Sequence, residues 1–308
     1  MKNLWSDTES DKFQDDLALR VYTSRLLGQD TSLVLHGGGN TSVKITETNL
    51  VGSKEEILYV KGSGWDLVSI EKDGFSPVRM AHMLSLSKLK SLSDPQMVNE
   101  LKTQLTNATS PTPSVETILH AILPFKYVDH THADAVVTIS NTSNGEERIR
   151  EIYGNRVVIV PYVMPGFDLA KEVGLLFSEM ASDETEGMVL LNHGIFSFGD
   201  TARESYERMI DLVNVAEQYL VNQNAWDNEK PLIDVNGKPM IQVVVENLNI
   251  DAHFIFLVQK EHYEKFNLKS ILNLISPGCD VILVDGLTAG AASTTLLAKN
   301  LINNDDPV

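Results

Sequence analysis

Short apolar runs that end in glycine- or histidine-containing loops alternate with helical patterns along most of this 308-residue chain. Such runs predict strands at residues 33–35, 41–46, 57–61, 127–139, 157–163, 188–192 and 195–198. Apolar residues at helical spacing predict helices at residues 11–27, 77–105, 114–123, 167–181 and 201–219. The pattern therefore predicts a domain of interleaved strands and helices.

The composition changes after Asn224. Residues 225–237 are mostly polar and contain Pro231 and Gly237, which favours a linker. Beyond it we expect strands at 241–245, 254–258 and 281–284, and helices at 261–274 and 291–302. The chain is thus predicted to consist of a main domain, 1–224, and a small C-terminal α/β extension, 225–308, whose pattern carries no recognisable chemistry.

Charge and cysteine content narrow the possible partners and sites. The formal net charge is −17, which argues against nucleic acid or an anionic membrane surface as a partner. An anionic substrate would need a local positive feature, such as a metal ion or backbone N–H groups. Cys279 is the only cysteine, so no intrachain disulfide forms and a transition-metal site must use histidines and carboxylates. With no signal-peptide or membrane-helix pattern in sight, we expect a cytoplasmic protein.

The run His130-Thr131-His132 is the sharpest local signal for chemistry. In a strand, positions two apart point to the same face, so two imidazoles could bind one ion. His193, placed before Gly194 at the end of a predicted strand, is the candidate third ligand. Three protein ligands with one open position are typical of catalytic zinc. The pattern alone also fits a pair of ordinary polar histidines.

Glu116 and His120 stand four residues apart in a predicted helix, which puts both on one face. The pair could belong to a reactive site or to an exposed Glu–His contact. The three consecutive glycines 37–39 could direct N–H groups at an anion or form a tight hairpin tip. They match neither a Walker A loop nor a dinucleotide-binding fingerprint. The run Gly62-Ser63-Gly64 is a second, weaker loop of this kind.

Five motifs follow one another in a recognisable order. They are Gly39-Asn40-Thr41-Ser42, Gly62-Ser63-Gly64, Ser114-Val115-Glu116, His130-Thr131-His132 and Leu191-Asn192-His193-Gly194. In this order and at these separations, the chain resembles the class II aldolase/adducin family over about residues 10–220. Within that family it is most similar to the aldolase half of bifunctional rhamnulose-1-phosphate aldolase/lactaldehyde dehydrogenase proteins.

The resemblance implies a three-layer α/β/α fold around a central mixed sheet. It implies Zn²⁺ or another divalent ion bound by His130, His132 and His193, with Glu116 as the catalytic proton-transfer group. It also implies substrate binding by a set of loop residues, namely Gly39, Asn40, Ser63, Gly64 and Ser114. The expected activity is cleavage of a ketose 1-phosphate, through an enediolate, to dihydroxyacetone phosphate and an aldehyde. A homo-oligomer, with a tetramer as the family's common form, is expected as well.

Two departures from the family pattern limit what the resemblance implies. Val115 stands where many family aldolases have a serine, so one hydroxyl that could bind phosphate is absent. No Gly-x-Gly-x-x-Gly fingerprint is present, so the dehydrogenase activity is not expected. Three other reactions could use the same metal site, namely epimerisation, dehydration and decarboxylation. The chain could also be a non-catalytic, adducin-like interaction module and not an enzyme.

Overall fold

The structure, a computed structural model, describes residues 1–226, 234–235, 238–248, 250, 252–266, 268–286, 288 and 290–302. The chain divides into two compact units, Met1–Ala225 and Trp226–Val308. The domain boundary predicted at residue 224 lies beside this division. Most of the predicted linker, 227–233 and 236–237, lies outside the described residues.

A mixed sheet of seven strands forms the centre of the first unit. The strands are β1 (Asn40–Thr48), β2 (Lys54–Lys61), β3 (Phe75–Arg79), β4 (Tyr127–Thr131), β5 (Val157–Val160), β6 (Gly187–Leu190) and β7 (Gly194–Gly199). Their order across the sheet is β3-β2-β1-β4-β7-β6-β5. Only β5 and β6 pair in parallel, and the other neighbours run antiparallel.

Helices cover both faces of this sheet. They are α1 (Asp7–Ser10), α2 (Asp16–Gly28), α3 (Met80–Leu86), α4 (Asp94–Thr103), α5 (Thr117–Ile122), α6 (Asp134–Ser140), α7 (Gly145–Tyr153), α8 (Phe167–Met180) and α9 (Ala202–Asn222), with single 3₁₀ turns at Leu67–Ser69, Lys72–Gly74 and Gly154–Arg156. α3, α4, α5 and α8 share one apolar core with the sheet. α2, α6, α7 and α9 pack together on the other side. The three-layer α/β/α architecture with a central mixed sheet is therefore confirmed.

Strand β4 lies at the middle of this arrangement, and all five of its residues are buried. Its side chains alternate between the two faces. Val128 belongs to the core under α5 and α8, whereas Asp129 points to the opposite face and pairs with Arg20 of α2. Ser205 of α9 donates a second hydrogen bond to Asp129, over 2.5 Å. The ion pair, whose two side chains are fully buried, thus ties β4 to two helices.

Several predicted elements differ from the observed ones. Residues 33–35 do not form a strand, because the N–H groups of Leu33 and Val34 both donate to the carbonyl of Asp30 and close a turn over residues 31–33. The predicted strand 127–139 ends at Thr131, and α6 follows from Asp134. The predicted helix 77–105 begins instead with strand β3, where Pro77 is tolerated because β3 lies at the sheet edge.

Two helix starts also differ from the prediction. α2 begins at Asp16, where the Asp15 side chain accepts the N–H of Ala18 as an N-cap. α5 begins only at Thr117, because Ser114 does not cap a helix but accepts the N–H of Glu116 in the preceding turn.

The second unit contains the helices α10 (Met240–Leu248), α11 (Lys260–Lys265), α12 (Leu268–Ile275), α13 (Ala291–Leu296) and α14 (Lys299–Ile302). β10 (Ile255–Gln259) and β11 (Asp280–Val284) form a small parallel sheet, and β8 (Asp234–Val235) pairs with β9 (Lys238–Pro239). The strand predicted at 241–245 is wrong. These residues lie in helix α10, where Ile241 and Val245, one turn apart, pack against the apolar cluster of Phe256, Leu268 and Leu272. The helices predicted at 261–274 and 291–302 are each split in two.

No helix in the described part of the chain is both long and apolar enough to span a lipid bilayer.

From the buried Arg20–Asp129 ion pair we predict the effect of a substitution on stability. Asp129→Asn should lower the free energy of unfolding by about 3–5 kcal/mol, because it leaves the Arg20 guanidinium buried without a counter-charge. Glu146→Gln is the matched control, since its pair with Arg150 is more than half exposed, and it should cost less than about 1 kcal/mol. Urea denaturation of both variants measures the difference. Equal losses would show that the buried pair does not anchor β4.

Candidate metal centre

Three histidines meet at the end of β4. His130 is the fourth residue of that strand, His132 follows immediately after its end, and His193 lies in the turn between β6 and β7. One potential ligand atom from each lies within 4.8 Å of the others. The prediction that two histidines share a face of one strand is therefore wrong in detail, since β4 ends at Thr131. The convergence of the three rings is as predicted.

The β6–β7 turn delivers His193 to this point. Asn192 adopts a left-handed backbone conformation with a φ of 59°, which asparagine tolerates better than most residues. Its side-chain amide donates to Asn141 over 2.8 Å, and the N–H of His193 donates to the carbonyl of Leu190. These two hydrogen bonds fix the conformation of the turn, so they constrain the direction of the His193 side chain.

Gly194 provides the space in which the rings converge. A Cβ atom at this position would lie 2.4 Å from the carbonyl oxygen of Thr131 and about 3 Å from ring atoms of both His130 and His132. Any larger side chain would push β7 away from β4 or displace the two rings. The glycine of the Asn-His-Gly motif is therefore required for close approach and not for an unusual φ.

The protonation of the histidines suits metal binding. His130 donates its Nδ1 hydrogen to the carbonyl of Ile195 over 3.1 Å, which leaves Nε2 with a free lone pair. Burial lowers the pKa of His130 well below its ordinary value, lowers that of His193 to about 4, and lowers that of His132. All three imidazoles are therefore neutral at pH 7, which is the form that ligates metals.

Unpartnered buried atoms at this place test whether an ion fits. Glu116 Oε1, His130 Nε2 and His193 Nδ1 are the buried side-chain atoms without a hydrogen-bond partner in the described part of the chain. Such atoms are costly unless something binds them. All three atoms belong to side chains of the histidine–Glu116 cluster, in which one nitrogen of each histidine converges, so a divalent cation fits the residues present. Imidazole nitrogen beside carboxylate oxygen is a donor set that suits zinc.

Glu116 faces the histidines. Its Oε2 lies 3.6 Å from His130 Nε2 and its Oε1 lies 3.7 Å from His193 Nε2. The side chain is 5% exposed, and burial raises its pKa to about 7, an effect that a hydrogen bond from Asn40 opposes. A carboxyl group with this pKa can take up and release a proton near neutral pH. A nearby positive charge would lower the pKa again.

Asn40 and His120 hold Glu116 in place. The Asn40 amide donates to Glu116 Oε2 over 2.6 Å and to the Ser114 hydroxyl over 3.3 Å. His120 Nε2 donates to the Asn40 carbonyl oxygen, while the Ser42 hydroxyl bonds His120 Nδ1 over 2.7 Å. His120 is fully buried, and burial lowers its pKa to about 3. The interpretation of Glu116 and His120 as an exposed surface pair is therefore wrong.

A cavity of about 330 Å³ opens beside His132 and His193. The predicted substrate-binding residues all line it, namely Gly39, Asn40, Ser63, Gly64 and Ser114. Gly39 and Gly64 have φ values of 63° and 89°, which favour glycine. Lys61 and Pro165 also line the cavity, and no role was predicted for either. The two loops and the histidine cluster thus share one space.

The site lies within a region that this chain shares with a known protein family. Residues 18–220, about two-thirds of the chain, match the family model described as the class II aldolase and adducin N-terminal domain. The chain belongs to the class II aldolase/adducin family. The matched residues contain the whole seven-stranded sheet and every residue of the site described above.

Among family members of known structure, the N-terminal class II aldolase domain of a conserved protein from Thermoplasma acidophilum is 46% identical. It covers 71% of this chain and 99% of that one, with a TM-score of 0.66. A sugar-phosphate aldolase from Thermotoga maritima is 16% identical over 68% of this chain and 96% of that one, with a TM-score of 0.50. At that identity the similarity supports the fold alone.

A curated relative is considerably longer than this class II aldolase/adducin chain. The uncharacterized oxidoreductase YuxG of Bacillus subtilis is 37% identical over 228 residues, which cover 73% of this chain. The chain spans 33% of the length of that relative. The similarity thus concerns about a third of the longer protein, whose activity does not carry over to this chain.

From the close packing around Gly194 we predict how a substitution there changes the affinity for zinc. Gly194→Ala should weaken zinc binding roughly 10- to 100-fold although it removes no ligand, because the added methyl group displaces the His130 and His132 rings. Competition with a chromogenic chelator measures the affinity. His130→Ala marks complete loss of the site, and Gly174→Ala, where a Cβ meets only the end of the Ile122 side chain, is the control. Wild-type affinity in Gly194→Ala would contradict the assigned packing.

Proposed function

We propose that this chain is a metal-dependent aldolase that cleaves a ketose 1-phosphate of the rhamnulose-1-phosphate type to dihydroxyacetone phosphate and an aldehyde. One observation carries the proposal. The unpartnered Nε2 of His130 lies 3.6 Å from Glu116 Oε2, and the unpartnered Oε1 of Glu116 lies 3.7 Å from His193 Nε2, beside a cavity of about 330 Å³. This combination supplies a cation site and a proton-transfer group at the same point.

In this proposal His130, His132 and His193 would hold the ion, and zinc suits their nitrogen donors best. A bound divalent ion supplies Lewis acidity, which polarises a substrate carbonyl group and stabilises the negative charge that develops during carbon–carbon cleavage. The neutral state of the three imidazoles at pH 7 supports the assignment.

Glu116 moves the proton. In the cleavage direction the carbon–carbon bond breaks, its electron pair stays on the carbon next to the substrate carbonyl, and Glu116 donates a proton to that carbon. In the synthetic direction the carboxylate removes the same proton. The hydroxyl proton released as the aldehyde carbonyl forms passes to a second base or to solvent. Burial raises the pKa of Glu116 and a bound ion would lower it, so the two effects on this carboxyl group oppose each other.

Asn40 and His120 would keep Glu116 aimed at that carbon. The fixed amide donates to one carboxylate oxygen only, so the other oxygen, Oε1, remains free for the transferred proton. His120 fixes which way the Asn40 amide points, because its Nε2–H requires an acceptor at that position. The arrangement orients the base without neutralising it.

A non-catalytic, adducin-like module would have no use for this arrangement. Such a module would be expected to lose metal ligands, whereas all three histidines and Glu116 are present and converge. Epimerisation, dehydration and decarboxylation require the same kind of stabilised carbanion, so the products distinguish them from aldol cleavage. The homo-oligomeric assembly and the cytoplasmic location expected from the sequence stay predictions.

The proposal predicts a specific defect in Glu116→Gln. Turnover of rhamnulose 1-phosphate or fuculose 1-phosphate should fall by roughly 10²- to 10⁴-fold, because the amide cannot exchange a proton. Metal content should stay near that of the wild type, since the three histidines remain. Glu71→Gln, an exposed carboxylate outside the cavity, serves as the control. Coupled assay of dihydroxyacetone phosphate release, with metal analysis of each variant, makes the measurement.

Undiminished cleavage by Glu116→Gln would contradict the role of Glu116. Absence of dihydroxyacetone phosphate from every phosphorylated ketose tested, with another product formed by the wild type, would replace aldol cleavage by one of the related reactions.

A further inference from the structure

Lys61 is a buried cation in the wall of the cavity beside the candidate metal centre. It is the last residue of β2, its residue surface is 4% exposed, and its ammonium group donates to the Gly37 carbonyl over 2.8 Å. Among the described residues it makes no ion pair with a carboxylate. Burial lowers the pKa of Lys61, and the charge of the more distant Asp66 only partly opposes this.

A buried ammonium group of this kind is costly to keep. The buried Arg20, by contrast, is balanced by the carboxylate of Asp129. A buried lysine with a single carbonyl acceptor has two hydrogens left over and a charge that burial separates from water. The arrangement becomes favourable when a ligand brings the missing negative charge.

The position of Lys61 indicates what that ligand touches. The residue lines the same cavity as His132, Glu116 and the two glycine loops. No other lysine or arginine is among the described residues that line this cavity. In a chain of net charge −17, Lys61 is therefore the local cation that an anionic substrate would meet.

The surroundings of the ammonium group favour a phosphate. Gly37 and Gly64 carry no side chains that would block a tetrahedral anion, and Ser63 adds a hydroxyl group on the same wall. Three phosphate oxygens can accept hydrogen bonds from the free lysine hydrogens and this hydroxyl together. Val115, also in the wall, offers no hydrogen bond where many family members have a serine.

We propose that Lys61 recognises the phosphate group of the substrate and replaces the hydrogen bond that Val115 cannot make. The identity of the phosphorylated substrate rests on the proposed function, but the binding of phosphate to Lys61 does not. Lys61 would hold the phosphate end while the histidines and Glu116 act on the carbonyl end.

The first test measures the binding of inorganic phosphate to the purified 308-residue chain by isothermal titration calorimetry. The titration is carried out before and after bound metal is removed with a chelator. The chelated sample removes any phosphate binding that an ion itself would provide. Lys61→Met should weaken phosphate binding at least 10-fold in both samples, and Lys61→Arg should retain most of it because the charge remains. Lys44→Met is the matched control. Lys44 is also largely buried and donates to one carbonyl, that of Leu123, but lines a different cavity.

The second test separates this inference from the proposed function. With a ketose 1-phosphate, Lys61→Met should raise KM at least 10-fold and change kcat little. With the unphosphorylated ketose, its kcat/KM should fall at least 10-fold less than with the phosphorylated one. Unchanged phosphate affinity in Lys61→Met would overturn the inference, even if aldol cleavage is observed. Lysine-dependent phosphate binding by a protein that cleaves no ketose phosphate would uphold the inference and overturn the proposed function.

Discussion

The site depends on the antiparallel pairing of β4 with β1 on one side and β7 on the other. The register places Asn40 opposite His130 across one pairing and Phe196 opposite His130 across the other. The Phe196 ring stacks on the His130 ring, with centroids 4.2 Å apart. Strand β4 therefore brings three parts of the site into contact. They are His130 itself, Asn40, which orients Glu116, and strand β7, which follows His193.

Successive side chains of β4 point to opposite faces of the sheet, so one face holds a stabilising ion pair and the other holds a candidate metal ligand. Asp129 faces the helices α2 and α9, where its carboxylate pairs with Arg20 and accepts from Ser205. The next residue, His130, faces the cavity side with its Nε2 free. A slip of one residue would exchange these two faces, placing a carboxylate in the metal cluster and a histidine beside a buried arginine. The Arg20–Asp129 pair therefore stabilises the register on which the ligand geometry depends.

The parts of the site that could be predicted from sequence are those whose chemistry is carried by a short motif. His130, His132, His193 and Glu116 lie in runs of three or four characteristic residues, and the structure brings all four together. The architecture could be predicted through the same motifs. Local propensity was less informative, because Leu33 and Val34 are buried in a turn stabilised by Asp30, and Ile241 and Val245 are in a helix despite their preference for strands.

The remaining site residues could not be predicted because their roles depend on tertiary burial. His120 looks like a surface residue in a sequence of six helical positions, and only the packing of α5 against β1 puts it between Asn40 and Ser42. Lys61 ends an ordinary strand, and the sequence does not reveal that it is buried without a carboxylate ion pair in the described structure. Alternating polarity along β1, where Asn40 and Ser42 share a face, is the one signal that could have indicated a buried partner for His120.

X-ray absorption spectroscopy of the zinc-loaded protein tests the three-histidine centre most directly. Three imidazole nitrogens at about 2.0–2.1 Å should be resolved, together with oxygen from Glu116 or water. Replacement of any one histidine should reduce the imidazole contribution from three to two or abolish binding. A spectrum with one imidazole or none, or one unchanged by loss of His193, would contradict the assignment of the site.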